Sequence, residues 1–215
     1  VDRFCIRHPR FGISNLMLFV AVGNAVVWLF SMMDTTGMLM SFLAFSPALI
    51  FRGQIWRLVT FIFVPMGSSN IFFFAITLYF YYFIGTALER EWGSNKFTVF
   101  YFFGVLLNIL IGFLVGGASM YYVNMSMFFA FATLYPDLQF LLFFIIPVKA
   151  KWLAWIDAAY FAIAVFQYLA GGHILMALIP IVAVLNYLLF FASDIGNLFS
   201  TAKRQAKWKA AQRPT

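Results

Sequence analysis

Six long apolar runs, each closed off by charged residues, glycine or proline, leave this chain few ways to fold. They cover residues 15–33, 70–86, 97–115, 120–135, 152–170 and 173–193. Each is roughly 16–22 residues long, against the ~20 that a helix needs to cross a bilayer. Over the whole chain 64% of residues are hydrophobic and only 10% are charged. A soluble domain carries about 25% charged residues, so the excess apolar surface must face lipid. The fold class this implies is all-α and integral to the membrane, a bundle of six transmembrane helices. No internal repeat and no linker divides it. The expected organisation is a segment 1–14, a helical membrane domain 15–195 and a basic tail 196–215.

Charge gives the expected orientation. Lys and Arg concentrate on loops that face the cytoplasm. With both termini inside, every one of the 14 basic residues lies inside except Arg52 and Arg57. The net charge of +7 therefore points to anionic headgroups and not to nucleic acid, because the cations flank apolar runs and form no soluble domain. Lys203, Arg204, Lys207 and Lys209 with Trp208 suit an interfacial helix on acidic lipid. Arg3, Arg7 and Arg10 resemble the start of a secretory signal, but the apolar run behind them is too long for one. Cys5 is the single cysteine, so no intramolecular disulfide can form. No metal or cofactor is expected.

The first loop, 38–69, is unusually apolar and is punctuated by Pro47, Gly53, Pro65 and Gly67. Short helical pieces are expected there. It carries Gly53-Gln54-Ile55-Trp56-Arg57-Leu58-Val59-Thr60. Trp56 and Arg57 together suit a water–lipid boundary, where indole and guanidinium both find partial hydration. Arg57 can reach the headgroups or bond the carbonyls of its own loop.

Asn24, Thr77, Asn108, Ser126, Asp157 and Asn186 are polar groups inside the spans. Asp157 is the costly one, at roughly 2.5–3.5 kcal/mol if unpaired at a helix centre. Asn186 falls at a similar depth on the neighbouring span, which suggests a polar clamp between Asp157 and Asn186.

Several motifs then fall in a telling order. Trp56-Arg57 sits in the first loop. Gly85-Thr86-Ala87-Leu88-Glu89 and Trp92-Gly93-Ser94 follow the second span. Leu134-Tyr135-Pro136-Asp137 and Pro147-Val148-Lys149-Ala150-Lys151-Trp152 come between the fourth span and the fifth. Across about 39–191 this resembles the rhomboid superfamily. The resemblance implies a six-helix fold in which Trp56, Arg57, Gly85 and Glu89 are structural motif residues. The superfamily's enzymes are intramembrane serine proteases. They use a Ser in Gly-x-Ser-Gly on helix four, a His on helix six, and a His-x-x-x-Asn pair on helix two that supports the oxyanion. A nucleophilic hydroxyl needs a base in reach, and the intermediate needs donors.

This chain departs from that pattern. The His-x-x-x-Asn positions fall on Phe73 and Thr77, and the nucleophile position on Tyr121 by ungapped counting, or on Ser119 or Ser126. Either serine is followed by Met. His173 is the one candidate base on the last span; His8 lies on the opposite side. The reading this favours is a proteolytically inactive rhomboid-like protein. By the resemblance it binds transmembrane segments of client proteins, as derlins and inactive rhomboids do. The alternative is an active intramembrane protease using Ser126, or Ser119, with His173. A transporter is disfavoured, since there is no duplicated half and no paired intramembrane charge.

Overall fold

The computed structural model describes residues 11–65, 70–142 and 146–191. The basic tail, His8, Cys5, and Arg3, Arg7 and Arg10 lie outside the described residues.

The first helix, α1 (Leu16–Met33), buries Met17, Val20 and Trp28 along one stripe. Its other faces are apolar and exposed, as at Phe19, Leu29 and Phe30. Exposed side chains of that size fit lipid and not water. Asp34 ends α1 and shapes the turn beyond it. Its carboxylate accepts hydrogen bonds from the Thr36 hydroxyl (2.6 Å), the Thr36 amide (3.0 Å) and the Leu39 amide (2.6 Å). These bonds, the Thr36 hydroxyl first, hold the Asp34 carboxyl below its ordinary value.

The first loop forms short helices, as its composition suggested: α2 (Met38–Leu43), α3 (Pro47–Ile50) and α4 (Arg57–Thr60), then a 3₁₀ turn at Phe61–Phe63.

Next comes α5 (Ile71–Val115), 45 residues long and interrupted only at Gly93, with φ 78° and ψ 155°. Those angles are open to glycine and closed to other residues. The chain doubles back there. Phe74 stacks on Trp28 late in α1, whereas Gly85 meets Met17 early in α1. Beyond the break, Thr98 Oγ1 accepts the Ile13 amide at 3.0 Å, and Phe113 returns to Phe45 in the first loop. Two limbs, 71–92 and 94–115, therefore run antiparallel. The sequence pattern ends one span at 86 and begins the next at 97. The structure keeps the residues between them helical and turns on the single glycine. Glu89 makes this possible, accepting the Ser94 hydroxyl across the turn (2.6 Å) and the Asn15 amide at the start of α1 (2.8 Å).

Helix α6 (Tyr121–Leu134) is buried on nearly every side, with Ser126, Met127, Ala130 and Phe131 fully enclosed. It is the central helix. Its 14 residues span ~21 Å, short of the ~30 Å hydrocarbon thickness. A β-hairpin comes next, β1 (Gln139–Leu142) against β2 (Ile146–Lys149), in register from Gln139↔Lys149 to Leu142↔Ile146. This stretch reads as an apolar connector in the sequence. Its residues are aromatic and branched, which suits strand, and Phe140 packs on Phe80, Phe83 and Phe131. Asp137 closes the hairpin base through Lys149 and Lys151, each at 3.1 Å, and both lysines hold its carboxyl below the usual range.

Finally α7 (Ala150–Ala170) and α8 (Ile174–Phe191) are joined across Gly171 and Gly172. Four helices among the described residues, α1, α5, α7 and α8, are long and apolar enough to cross a membrane. The membrane architecture thus stands, with one of the four folded on itself and α6 short of a full crossing.

Candidate functional site

The first loop is built on Arg57. Its side chain is only 3% exposed, so it does not reach for headgroups. Nη1 donates to the carbonyls of Ser41 and Ala44, the latter at 2.7 Å, and Nε donates to Gln54 Oε1 at 2.8 Å. Those carbonyls end α2, where the last turn has no partners of its own and the helix dipole favours a cation. Thr60 Oγ1 donates to the Leu43 carbonyl at 2.9 Å. The Phe42 ring lies under the guanidinium at 5.9 Å and against Trp56 at 5.2 Å. One arginine therefore ties α2, α4 and the segment between them into a unit. Gln54 is a partner that sequence reasoning missed, although its place three residues before Arg57 could have indicated it.

The candidate nucleophile Ser126 is fully buried on α6. Its hydroxyl donates to the Val123 carbonyl (2.7 Å) and accepts from Asn186 Nδ2 (3.3 Å). Asn186 reaches it because Gly104 has no side chain; a Cβ there would stand 2.7 Å from Asn186 Nδ2. So Asn186 pairs with Ser126 and not, as depth alone suggested, with Asp157. No hydrogen bond links Asp157 to Asn186 among the described residues. Counting along a helix gives depth but not the face that a side chain presents.

His173 stands elsewhere. It precedes α8, is exposed, and lies in a surface pocket with Leu114, Val115, Gly172, Ile174, Leu175 and Met176. Thirteen residues separate it from Asn186, about 20 Å along a helix. The structure does not bring His173 to Ser126. Ser119 Oγ accepts the Tyr121 amide at 3.3 Å, and its carbonyl accepts Asn108 Nδ2. At the oxyanion positions Phe73 is 53% exposed, and the Thr77 hydroxyl donates to the Phe73 carbonyl on its own helix.

Two amide oxygens are buried without a partner among the described residues, Asn186 Oδ1 and Asn124 Oδ1. Each lines a cavity of about 20 Å³, one with Asn108 and Ser126, the other with Asn24, Thr77 and Tyr81. A single water needs about 10–15 Å³ and two to four polar neighbours. A map at about 2 Å resolution is expected to show one ordered water within ~3.2 Å of each oxygen. Two dry cavities would contradict this.

The family model described as "Eukaryotic integral membrane protein (DUF1751)" matches residues 15–207. Derlin-1 of Bos taurus is 30% identical over 183 residues, covering 80% of this chain and 70% of that protein. Derlin-1 of Homo sapiens is 30% identical over 177 residues, covering 77% and 68%. Rhomboid-like protease 1 of Toxoplasma gondii is 27% identical over 111 residues, covering 48% of this chain and 37% of that protein. No solved structure matches the chain.

Proposed function

Since this chain belongs to the DUF1751 family of eukaryotic integral membrane proteins, within the rhomboid superfamily, we propose that it binds transmembrane segments of client proteins. It does so without cleaving them. The likeness to Derlin-1 over most of the chain supports the inactive, rhomboid-like reading. The observation that carries it is local. The Ser126 hydroxyl is committed to a backbone carbonyl and to an amide nitrogen, and His173, the one described imidazole, stands too far off to take its proton. An amide side chain cannot act as that base.

The experiment is labelling with a fluorophosphonate, which reacts with an activated serine hydroxyl. The purified protein in detergent is expected to remain unlabelled, like its Ser126→Ala and Ser119→Ala variants. Labelling that disappears in either variant would establish the protease instead.

Both termini are placed in the cytoplasm on the strength of loop charge, and the basic tail beyond the membrane domain docks on acidic lipid.

A further inference from the structure

Asp157 is a carboxylate within the spanning helices that no described group bonds, whereas Glu89 and Glu91 of α5 accept hydrogen bonds. It lies seven residues into α7, ~10 Å from the helix start. It shares a stripe with Ala150, Ala154 and Phe161, of which Ala150 and Phe161 are buried, so it faces the bundle and not bulk lipid. Asp157 itself is half-buried. The Tyr81 and Tyr121 hydroxyls, from α5 and α6, lie within its electrostatic reach. Among the described residues it has neither a hydrogen bond nor an ion pair. The cations nearest in sequence, Lys149 and Lys151, are both held by Asp137. Arg57 is enclosed in the first loop. Helix α7 buries only Ala150 and Phe161, which leaves its flank open to a neighbouring helix.

An ionisable group at this depth is costly alone and is relieved by an opposite charge. We propose that Asp157 pairs with a basic side chain carried by the client's transmembrane segment. This rests on the client-binding reading above and names the feature of the client that is read. A lysine or arginine in a lone span is as costly as Asp157, so each removes the other's penalty. Client choice then depends on charge and depth more than on apolar sequence. Segments that are poorly suited to lipid on their own are selected.

The test uses the full chain in nanodiscs and single-span peptides bearing a photo-crosslinker. One peptide is wholly apolar. A second carries one lysine at the depth of Asp157, and a third an aspartate there. The lysine peptide is expected to bind about tenfold more tightly than the apolar one. In Asp157→Asn, a near-isosteric change whose folding is checked by thermal unfolding, that preference should vanish. In Asp157→Lys the preference should pass to the aspartate peptide. Equal binding of lysine and apolar peptides, or a lysine preference that survives Asp157→Asn, overturns the proposal while leaving client binding intact. If no peptide binds at all, the client-binding reading itself falls, and this proposal with it.

Discussion

Replacing Arg57 with alanine is expected to cost roughly 3–5 kcal/mol of stability, because it strips hydrogen bonds from buried groups and leaves them unpaired. The Ser41 and Ala44 carbonyls and the Gln54 amide would lose their donor together. For a chain of this size that corresponds to a fall in Tm of about 10 °C or more. Damage should begin in the first loop, so limited proteolysis between α2 and α4 should appear before the helical bundle opens. Arg57→Lys should recover only part of the loss, since one ammonium cannot present the guanidinium's planar fork to acceptors on two sides. Arg52→Ala serves as the control. Arg52 is exposed, and its loss should change stability by less than about 0.5 kcal/mol. Thermal unfolding in detergent measures all three. Equal Tm values for Arg57→Ala and the parent would show that the guanidinium bonds do not hold the loop.

The second large effect is expected at Gly85. A Cβ added there would overlap Met17 Cγ and come within 2.9 Å of Met17 Cβ. Met17 is 2% exposed on the buried stripe of α1, and its Cβ is fixed to the backbone, so the side chain cannot simply swing away. Gly85→Val should therefore push α1 off the first limb of α5 at a cost of about 3 kcal/mol. Gly85→Ala should cost less, and shortening the opposing side chain should relieve it. The Met17→Ala, Gly85→Ala double variant is expected to be more stable than the sum of the singles allows, a coupling of about 1 kcal/mol or more. Gly117, with open space where its Cβ would be, should accept alanine without loss. Strict additivity of Met17→Ala and Gly85→Ala would deny the close approach of the two helices.

How far the sequence foretold these features depends on what kind of signal each leaves. Apolar runs record burial in lipid directly, so the helices were legible from length and hydropathy. The turn at Gly93 was not. Glu89, Arg90 and Glu91 read as a loop because charge usually marks one, whereas here Glu89 is the acceptor that ties the helix end to Asn15 and Ser94. The hairpin at Gln139–Lys149 was hidden for a related reason: in a chain this apolar throughout, hydropathy no longer distinguishes strand from connector. Arg57 was visible as an anomaly, and its own-loop bonding was one of the two outcomes its position allowed. Its main partners are backbone carbonyls, which carry no sequence signature. The pairing of Asn186 was misjudged because residue counting fixes height along a helix but not which face meets which neighbour. Gly104, which opens the way to Ser126, leaves only the absence of a side chain.

Together these features describe a rhomboid-like scaffold in which the arginine-tied loop and the Gly85–Glu89 contacts are intact. The serine, by contrast, is held by an asparagine, and the histidine stands at a distant helix end. The most direct test is to incubate the protein in liposomes with a single-span peptide bearing a photo-crosslinker. The peptide is then recovered and weighed by mass spectrometry. The expected result is a crosslinked complex in which the peptide's mass is unchanged after prolonged incubation. Peptide fragments that form with the parent chain and not with Ser126→Ala would contradict it.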